Sequence, residues 1–208
     1  SQHQEDLYFV DFLGHYQLDP QNDIYVDVGA NHPMSISNTY LLYRKGFKGV
    51  LIEPNLELAG LSKQFRAKDI VMPIGCSDEN GMIEFQVSKT PVLSSFSGDR
   101  QLDVYESYYC PVLTLDNALK ALQFRHIFLL SIDVEGLGYE VLLGAENILK
   151  STLLVCIEYD DKKEVINQQM EKWGFELIKD IAACNTVYLN QQLHQKLHKN
   201  SRLSTATL

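Results

Sequence analysis

Short apolar runs alternate with segments of helical spacing between residues 24 and 159, and this alternation constrains the fold more than any other feature of the chain. Each run ends in a polar or glycine-bearing turn and is followed by apolar residues three or four positions apart, which predicts repeated βα units and a parallel sheet. The later runs are almost continuously hydrophobic, as expected for strands covered on both faces. The predicted strands are 24–28, 49–53, 70–74, 127–133 and 153–159, and the predicted helices are 37–45, 56–66, 115–122, 138–149 and 162–173.

The βα rhythm ends at Gly174, because 175–190 contain two strand-like runs with too few residues between them for a helix. Two strands joined so closely form an antiparallel pair, which we place at one edge of the sheet. The length suits a single α/β domain over 1–208, with an N-terminal segment 1–20 and a C-terminal tail 190–208.

The part between the third and fourth predicted strands is the least regular. Residues 82–87 read as a strand and 90–107 as a loop, and a loop of that length inside a domain is typically functional or mobile. The polar end of the chain, 198–208, is predicted to be frayed.

Charge and composition limit the partners of the protein. The formal net charge is −9, and a general affinity for nucleic acid or anionic membranes would need a dense basic patch that the scattered Lys and Arg residues do not supply. We find no apolar run of bilayer length and no basic leader before a hydrophobic segment. Four cysteines without a CxxC pair predict free thiols in a reducing compartment, so we expect a cytoplasmic protein and leave its oligomeric state open.

Acidic residues lie at the ends of the first two predicted strands. Asp27 and Gly29 belong to "IYVDVGAN", and Glu53 ends the next strand. Ligands of doubly wound sheets bind beyond the carboxyl ends of the strands. A glycine there lets the backbone approach a ligand, and a carboxylate can accept hydrogen bonds from both hydroxyls of a ribose. The alternative is an ordinary βα turn beside an exposed strand end.

The loop after the first strand limits the kind of cofactor. It reads "DVGANHP", with one glycine and no lysine, so it is neither the GxGxxG fingerprint of dinucleotide-binding proteins nor a P-loop. A nucleoside-bearing cofactor without a pyrophosphate remains, and S-adenosylmethionine is the obvious candidate.

Several segments together resemble the FkbM-type S-adenosylmethionine-dependent methyltransferases: "SQHQEDL", "YVDVGANHPMSISNTYLLYRKGFKGVLIEPN", "GCSDENGMIEF", "LTLDNAL" and "LLSIDVEGLGYEVLLGA". The resemblance covers nearly the whole chain and is strongest to members that occur with bacterial surface-polysaccharide genes. It implies a class I methyltransferase (Rossmann-like) fold, with a seven-stranded mostly parallel sheet, an antiparallel C-terminal strand pair and helices on both faces. It also implies methyl transfer to a hydroxyl, commonly of a sugar.

The resemblance assigns cofactor contacts position by position. The loop after the first strand would line the methionine part, Glu53 and its neighbours would bind the adenosine, and the segment after the third strand would approach the adenine. Alternatively, 78–81 form a simple turn and the N-terminal segment, placed over the cofactor by the resemblance, is only the start of a helix. The assigned residues are Asp27, Gly29, Ala30, Asn31, Glu53, Pro54, Asn55, Ser77, Asp78 and Gln2.

Asp133 follows the fourth predicted strand, where the sulfonium and the acceptor should meet. It could remove the hydroxyl proton, or hold Mg²⁺ together with Glu135 or Glu158; alternatively Asp133 caps its loop and Glu135 orders the following turn. His32 is a second candidate base, or a loop histidine that packs over the cofactor. Many relatives carry Lys where this chain has Ser131, so a lysine at that position has no part in the mechanism here.

The acceptor side is less defined. Ser94, Ser95 and Phe96 lie in the long polar loop and are predicted to form a lid over a small-molecule or saccharide acceptor. Two other classes stay open, a nucleotide-sugar or NAD-dependent enzyme on a related sheet and a non-catalytic scaffold that keeps the cofactor pocket. RNA, protein and lipid acceptors also occur on related folds.

Overall fold

The computed structural model describes residues 5–88, 104–159, 161–182 and 184–205. The strands are β1 (Asp23–Val28), β2 (Gly49–Ile52), β3 (Ile70–Met72), β4 (Gly75–Cys76), β5 (Gly81–Ser88), β6 (Val104–Leu113), β7 (His126–Ile132), β8 (Thr152–Glu158), β9 (Phe175–Ile181) and β10 (Asn185–Asn190). The helices are α1 (Glu5–Leu13), α2 (Tyr40–Arg44), α3 (Leu56–Phe65), α4 (Leu115–Leu119), α5 (Gly138–Leu143), α6 (Glu146–Leu149), α7 (Lys163–Lys172) and α8 (Gln191–Thr205).

Seven strands form the main sheet in the order β3-β2-β1-β7-β8-β10-β9. The pairs from β3 to β8 are parallel, and β10 is antiparallel to both β8 and β9. The chain first extends the sheet from β1 towards β3 and then crosses to β7 on the other side of β1, so a topological switch point lies between β1 and β7. The predicted fold class is confirmed, including the antiparallel pair at the C-terminal end.

Successive residues of the central strands face opposite sides of the sheet and build two cores. On one side Val26, Leu130 and Val155 pack against α4, α5, α6 and α7. On the other side Tyr25, Leu129 and Leu154 pack against α1, α2 and α8. Helices therefore cover both faces, and this explains why β7 and β8 are almost continuously apolar in sequence.

A second, small sheet has the order β4-β6-β5. The predicted strand 70–74 is wrong beyond Met72: Pro73 has no N–H to donate to the ladder, and Gly75 and Cys76 pair with β6 instead of continuing β3. The predicted loop 90–107 is wrong from Val104 onwards, because β6 begins there and pairs with β5 along its length.

The helical segments differ from the predictions in several places, since 37–45 is helical only as α2 and 115–122 only as α4. The predicted helix 138–149 is divided at Gly144, where a Cβ would lie 2.2 Å from the carbonyl oxygen of Ser77, and the chain restarts as α6 with Asp116 accepting from the N–H groups of Asn147 and Ile148. The tail predicted as frayed is helical to Thr205, and α8 packs on the second core through Leu193 and Leu197, which precede that tail.

Two further expectations concern the chain as a whole. All four cysteines are free thiols, and Cys76, Cys110 and Cys156 are buried. Within the described ranges, no helix combines the length and the apolar character that crossing a membrane requires.

Candidate active site

The carboxyl ends of β1, β2 and β7 surround a cleft of about 940 Å³, a volume that includes its open mouth. One wall consists of 52–54 after β2 with 74–76 and Phe85, and the opposite wall consists of 36–38 with the residues that follow β7. The cleft lies at the switch point, where open α/β sheets bind their ligands. Of the residues predicted from sequence, those that line it are Asp27, Gly29, Ala30, Asn31, Glu53, Pro54, Asp133 and Glu135.

Glu53 follows β2 and lies almost entirely below the surface, with 5% of it exposed. Its Oε1 accepts the backbone N–H of Asn55 at 2.8 Å and its Oε2 accepts that of Asn31 at 2.7 Å. Burial raises the pKa of Glu53 to about 7, against the two N–H donors that lower it, and the charge of Asp27 raises it further. Since a carboxylate has about four acceptor positions, Glu53 can still accept hydrogen bonds from a ligand.

Asn55 caps α3, which begins directly after the predicted ribose-binding carboxylate. Its Oδ1 accepts the N–H groups of Glu57 and Leu58 at 3.0 and 3.2 Å, while its own N–H holds Glu53. Asn55 is not among the lining residues of the described chain. It acts on the cleft indirectly, by holding the Glu53 carboxylate and the first turn of α3. The preceding Pro54 does line the cleft, and its carbonyl oxygen accepts the hydroxyl of Tyr108 at 2.8 Å.

Backbone contacts hold the loop after β1 against the end of β2 and against the loop after β7. The N–H groups of Gly29 and Ala30 both donate to the carbonyl of Ile52, at 2.9 and 3.2 Å. Gly29 has φ +78°, and a Cβ there would lie 1.9 Å from the carbonyl oxygen of Asp133. Sequence reasoning assigned this glycine to the approach of a ligand; the structure shows that it also permits the close approach of the loop after β7. Asn31 follows with φ +50°, a conformation that Asn adopts more readily than most residues.

His32 has a local role in the structure. Its Nδ1 accepts the backbone N–H groups of Met34 and Ser35 at 3.2 and 3.0 Å, which places the proton of the neutral ring on Nε2. It is not among the residues that line the cleft in the described chain. The prediction that His32 is a base stays a prediction, and the contacts favour its alternative as a loop residue.

Asp27 is connected to a buried arginine that sequence reasoning missed. The hydroxyl of Thr39 donates to Asp27 Oδ2 at 2.6 Å and accepts both terminal nitrogens of Arg66 at 3.1 Å. Arg66 is fully buried and pairs through Nε with Asp69, while its Nη2 donates to the hydroxyl of Tyr25. Burial raises the pKa of Asp27, against the hydrogen bond from Thr39 and the charge of Arg66 that lower it.

The same guanidinium holds the loop that forms one wall of the cleft. Arg66 Nη1 donates to the hydroxyl of Ser37 at 3.2 Å and to the carbonyl of Pro33 at 3.5 Å. Next to Ser37, the side-chain amide of Asn38 donates to Ser131 at 3.2 Å. Ser131 thus connects the loop after β1 to β7.

Asp133 follows β7 and faces the cleft, and its carboxyl group is hydrogen bonded to Glu158 at the end of β8. Burial raises the pKa of Asp133 well above its ordinary value, and the charge and hydrogen bond of Glu158 raise it further. Two carboxyl groups in contact share a proton because both cannot ionise without repulsion. The structure therefore places two carboxyl groups against each other, at the ends of β7 and β8, where burial and mutual repulsion favour a shared proton.

The proposed metal site has less support. Glu158 is not among the cleft-lining residues of the described chain, and its contact with Asp133 is made through a hydrogen bond between the two carboxyl groups. In the ranges that the structure describes, no three His, Cys, Asp or Glu side chains are grouped so that they could hold a metal ion. A Mg²⁺ site at Asp133 stays a prediction.

Ser77 and Asp78, which were predicted to approach the adenine, are not among the residues that line the cleft in the described chain. Ser77 is buried and donates its hydroxyl to Asp78, which is exposed, at 3.0 Å. Ile74, Gly75 and Cys76 line the cleft at this point instead. Their contact with a cofactor stays a prediction. The remaining predictions, for Gln2, Ser94, Ser95 and Phe96, lie outside the described residues.

Other lining residues had little or no signal in the sequence. Phe85 alternates with polar residues in "IEFQV", a pattern that could have marked it as inward facing. Ile36, Ser37 and Asn38 lie in an irregular loop without a periodic pattern. Arg66 ends a helix with nothing to distinguish it from a solvated arginine.

Comparison with known proteins identifies the family. The methyltransferase FkbM domain family matches residues 27–188. The crystal structure of methyltransferase FkbM from Methylobacillus flagellatus KT is similar in fold, with a TM-score of 0.55 and 14% identity over 85% of this chain and 45% of that one. The chain thus spans less than half the length of that relative.

A second solved structure shares the fold. Magnesium protoporphyrin IX methyltransferase from Synechocystis PCC 6803, with bound S-adenosylmethionine, has a TM-score of 0.51 and 9% identity over 89% of this chain and 76% of that one. No curated protein sequence matches the chain. The family match covers most of the chain, including the sheet ends that form the cleft, and the chain belongs to the FkbM methyltransferase family.

Proposed function

We propose that the protein transfers a methyl group from S-adenosylmethionine to a hydroxyl group of a saccharide or a glycosylated precursor. The observation that carries the cofactor assignment is Glu53, a buried carboxylate at the end of β2 with two backbone N–H donors and unused acceptor capacity. The saccharide acceptor rests on the sequence resemblance to family members that occur with surface-polysaccharide genes.

The residues of the cleft fit such a cofactor. Glu53 can accept the two ribose hydroxyls, and Ile52, Ile74 and Phe85 supply apolar surface for a base. Asp27 and Asp133 line the cleft and provide carboxyl oxygens that can accept the ammonium group and face the sulfonium group of the methionine part. When bound, S-adenosylmethionine would supply an activated methyl group.

Asp133 is the residue that we assign to proton removal. A sugar hydroxyl is a poor nucleophile while protonated, so a base within reach raises its reactivity. Asp133 can take this proton when it is ionised and the proton of the pair lies on Glu158, and the raised pKa of Asp133 then makes it a stronger base than an exposed aspartate. The chain otherwise contributes alignment, because the backbone of Gly29 lies against that of Asp133 and the N–H of Asn31 is bonded to Glu53.

Calorimetric titration tests the cofactor assignment. We expect S-adenosylhomocysteine to bind the purified chain at one site, equally well with Mg²⁺ and with EDTA, while NAD does not bind. Binding of NAD, or of neither compound, would contradict the proposal and would mean that the family fold carries another chemistry here.

Asp133→Asn tests the proton-removal role. We expect S-adenosylhomocysteine affinity within about threefold of the wild type, because Asn keeps the shape of the side chain, while methyl transfer falls by about 100-fold or more. The measurement is the transfer of labelled methyl from S-adenosylmethionine to a panel of mono- and oligosaccharide glycosides. The control is Asp161→Asn, an exposed aspartate beyond β8. Full activity of Asp133→Asn would reject the assignment.

A further inference from the structure

The small sheet formed by β4, β5 and β6 presents one face to the cleft and one to solvent. Phe85 and Tyr108 are opposite each other in the β5–β6 register, and their ring centroids are 5.7 Å apart. Together with Val87 and Cys110 they form a buried cluster of their own. Tyr109, the next residue along β6, points the other way and is 71% exposed. The alternation of β6 thus places one of two adjacent tyrosines inside the molecule.

Tyr108 is bonded to both sides of the turn that carries Glu53. Its hydroxyl donates to the carbonyl of Pro54 at 2.8 Å and accepts the N–H of Leu56, the first residue of α3, at 3.2 Å. Between these two contacts Asn55 donates its N–H to the Glu53 carboxylate. Residues 53–56, here called the ribose turn, are therefore fixed to the small sheet through one hydroxyl group.

Phe85 reaches the cleft itself. It is 2% exposed and lines the cleft on the same side as Glu53, Pro54 and Cys76. The hydrogen bonds of Tyr108 to Pro54 and Leu56 place this face of the small sheet against the ribose turn. Aromatic surface beside an acceptor for ribose hydroxyls is the combination that an adenosine group requires, because the base offers a flat π face.

We propose that the small sheet is a built-in part of the adenosine site, in which Phe85 contacts the adenine and Tyr108 is a positioning residue that holds the ribose turn. This inference rests on the proposed function, since it names the contacts of the same cofactor. It assigns to β5 and β6 a role in binding beyond covering the edge of the core.

Tyr108→Phe tests the positioning role, with Tyr109→Phe as the matched control one residue away on the outer face. The probes are S-adenosylhomocysteine and 5′-methylthioadenosine, which shares only its adenosine half. We expect Tyr108→Phe to weaken both by the same factor, about tenfold, because two hydrogen bonds to the ribose turn are lost. Tyr109→Phe should bind both as the wild type does.

The pH dependence of binding separates positioning from a general loss of stability. A looser ribose turn admits water to Glu53, so the midpoint of S-adenosylhomocysteine binding against pH should move to lower pH in Tyr108→Phe and stay in place in Tyr109→Phe. Loss of thermal stability alone would leave this midpoint unmoved. An unchanged midpoint with unchanged affinity would overturn the role of Tyr108.

Phe85→Leu tests the adenine contact, because it keeps a buried aliphatic side chain and removes the aromatic face. We expect about tenfold weaker binding of both probes, and wild-type affinity would overturn the contact.

Hydrogen exchange of the wild type is a test that needs no variant. Bound S-adenosylhomocysteine should slow amide exchange in 83–87 and 106–110, and unchanged exchange there would contradict the proposal.

Failure of this inference differs from failure of the proposed function. If the wild-type protein does not bind S-adenosylhomocysteine, the function itself is wrong. If the wild type binds it and the variants at positions 108 and 85 bind equally well, the cofactor assignment stands and only the role of the small sheet is rejected.

Discussion

At the scale of single residues, the cleft depends on carboxyl groups whose environments differ. Glu53 is held by two backbone N–H groups, Asp27 by a hydroxyl that is bonded to Arg66, and Asp133 by another carboxyl group. All three are acidic residues at strand ends in the sequence, where they look alike. Only their partners in the structure distinguish them, and the proposed roles of Glu53 as ribose acceptor and Asp133 as base rest on those partners.

Glu53→Gln should weaken S-adenosylhomocysteine binding by about 1.5–3 kcal/mol, the range for hydrogen bonds to a charged group. The amide keeps the size of the side chain but has one oxygen instead of two, so it cannot satisfy Asn31, Asn55 and two ligand hydroxyls together. Calorimetry measures the change, with Glu57→Gln as control because that glutamate is exposed on α3. Equal affinity of wild type and Glu53→Gln would remove Glu53 from the ribose role.

The pH dependence of binding follows from the same carboxyl group. The pKa of Glu53 is raised to about 7 by burial, with Asp27 on β1 as a further charge and Tyr108 and Cys110 facing it from β6. The ionised form accepts ribose hydroxyls, so affinity should rise as pH increases through about 7 and be about tenfold weaker near pH 6 than near pH 8.

The sign for the free protein is opposite. Because the folded-state pKa of Glu53 lies above its unfolded value, its contribution to folding stability is present at low pH and lost as pH rises towards about 7. Titrations of S-adenosylhomocysteine between about pH 6 and pH 8 measure how its affinity depends on pH. In Glu53→Gln the affinity should no longer depend on pH over this range. A wild-type curve that falls with pH would contradict the assignment.

At the scale of elements, the site depends on loops that approach one another closely. The loop after β1 contacts the carbonyl of Ile52 and the backbone of Asp133 within the space that only a glycine allows. The loop 33–39 is fixed by Arg66, which comes from the end of α3. Strand ends were predictable from apolar periodicity, whereas these contacts involve residues from distant parts of the chain and left no periodic signal.

Gly29→Ala should lower the free energy of unfolding by about 3 kcal/mol or more, because strain at positive φ adds to a Cβ placed 1.9 Å from the Asp133 carbonyl oxygen. Gly46→Ala is the matched control: φ is +97° there too, but no atom lies within 4 Å of the added Cβ. We expect about 1–2 kcal/mol for the control. Urea denaturation measures both, and equal losses would show that the close approach costs nothing.

At the scale of the whole molecule, one sheet separates two cores, and the cleft lies at the carboxyl ends of its central strands. The cleft walls come from β1, β2 and β7 and from the small sheet, so the residues that line it range from 27 to 137. A ligand that contacts so many elements should stabilise the folded protein as a unit. The single-domain organisation stays a prediction that unfolding experiments test.

S-Adenosylhomocysteine at about 100 times its dissociation constant should raise the free energy of unfolding by about 2.7 kcal/mol. Fluorescence of Trp173, the one tryptophan of the sequence, and far-ultraviolet circular dichroism should report the same transition midpoint. NAD at the same concentration is the control and should leave the midpoint unchanged. Two separate transitions would contradict a single cooperative domain.

The sequence by itself determined the strands, the order of βα units, the antiparallel end and the acidic residues of the cleft, because each follows from periodicity or from a motif within one segment. Its errors lay where pairing partners were distant: β4 left the line of β3, β6 formed inside a predicted loop, and the division after α5 followed from a contact of Gly144 with Ser77. Only the tertiary structure decided that Arg66 is buried beneath the site, that Asp133 meets Glu158 and that Phe85 and Tyr108 face the ribose turn. The physical reason is that burial and hydrogen bonding between segments far apart depend on three-dimensional packing, which leaves no local pattern in a chain.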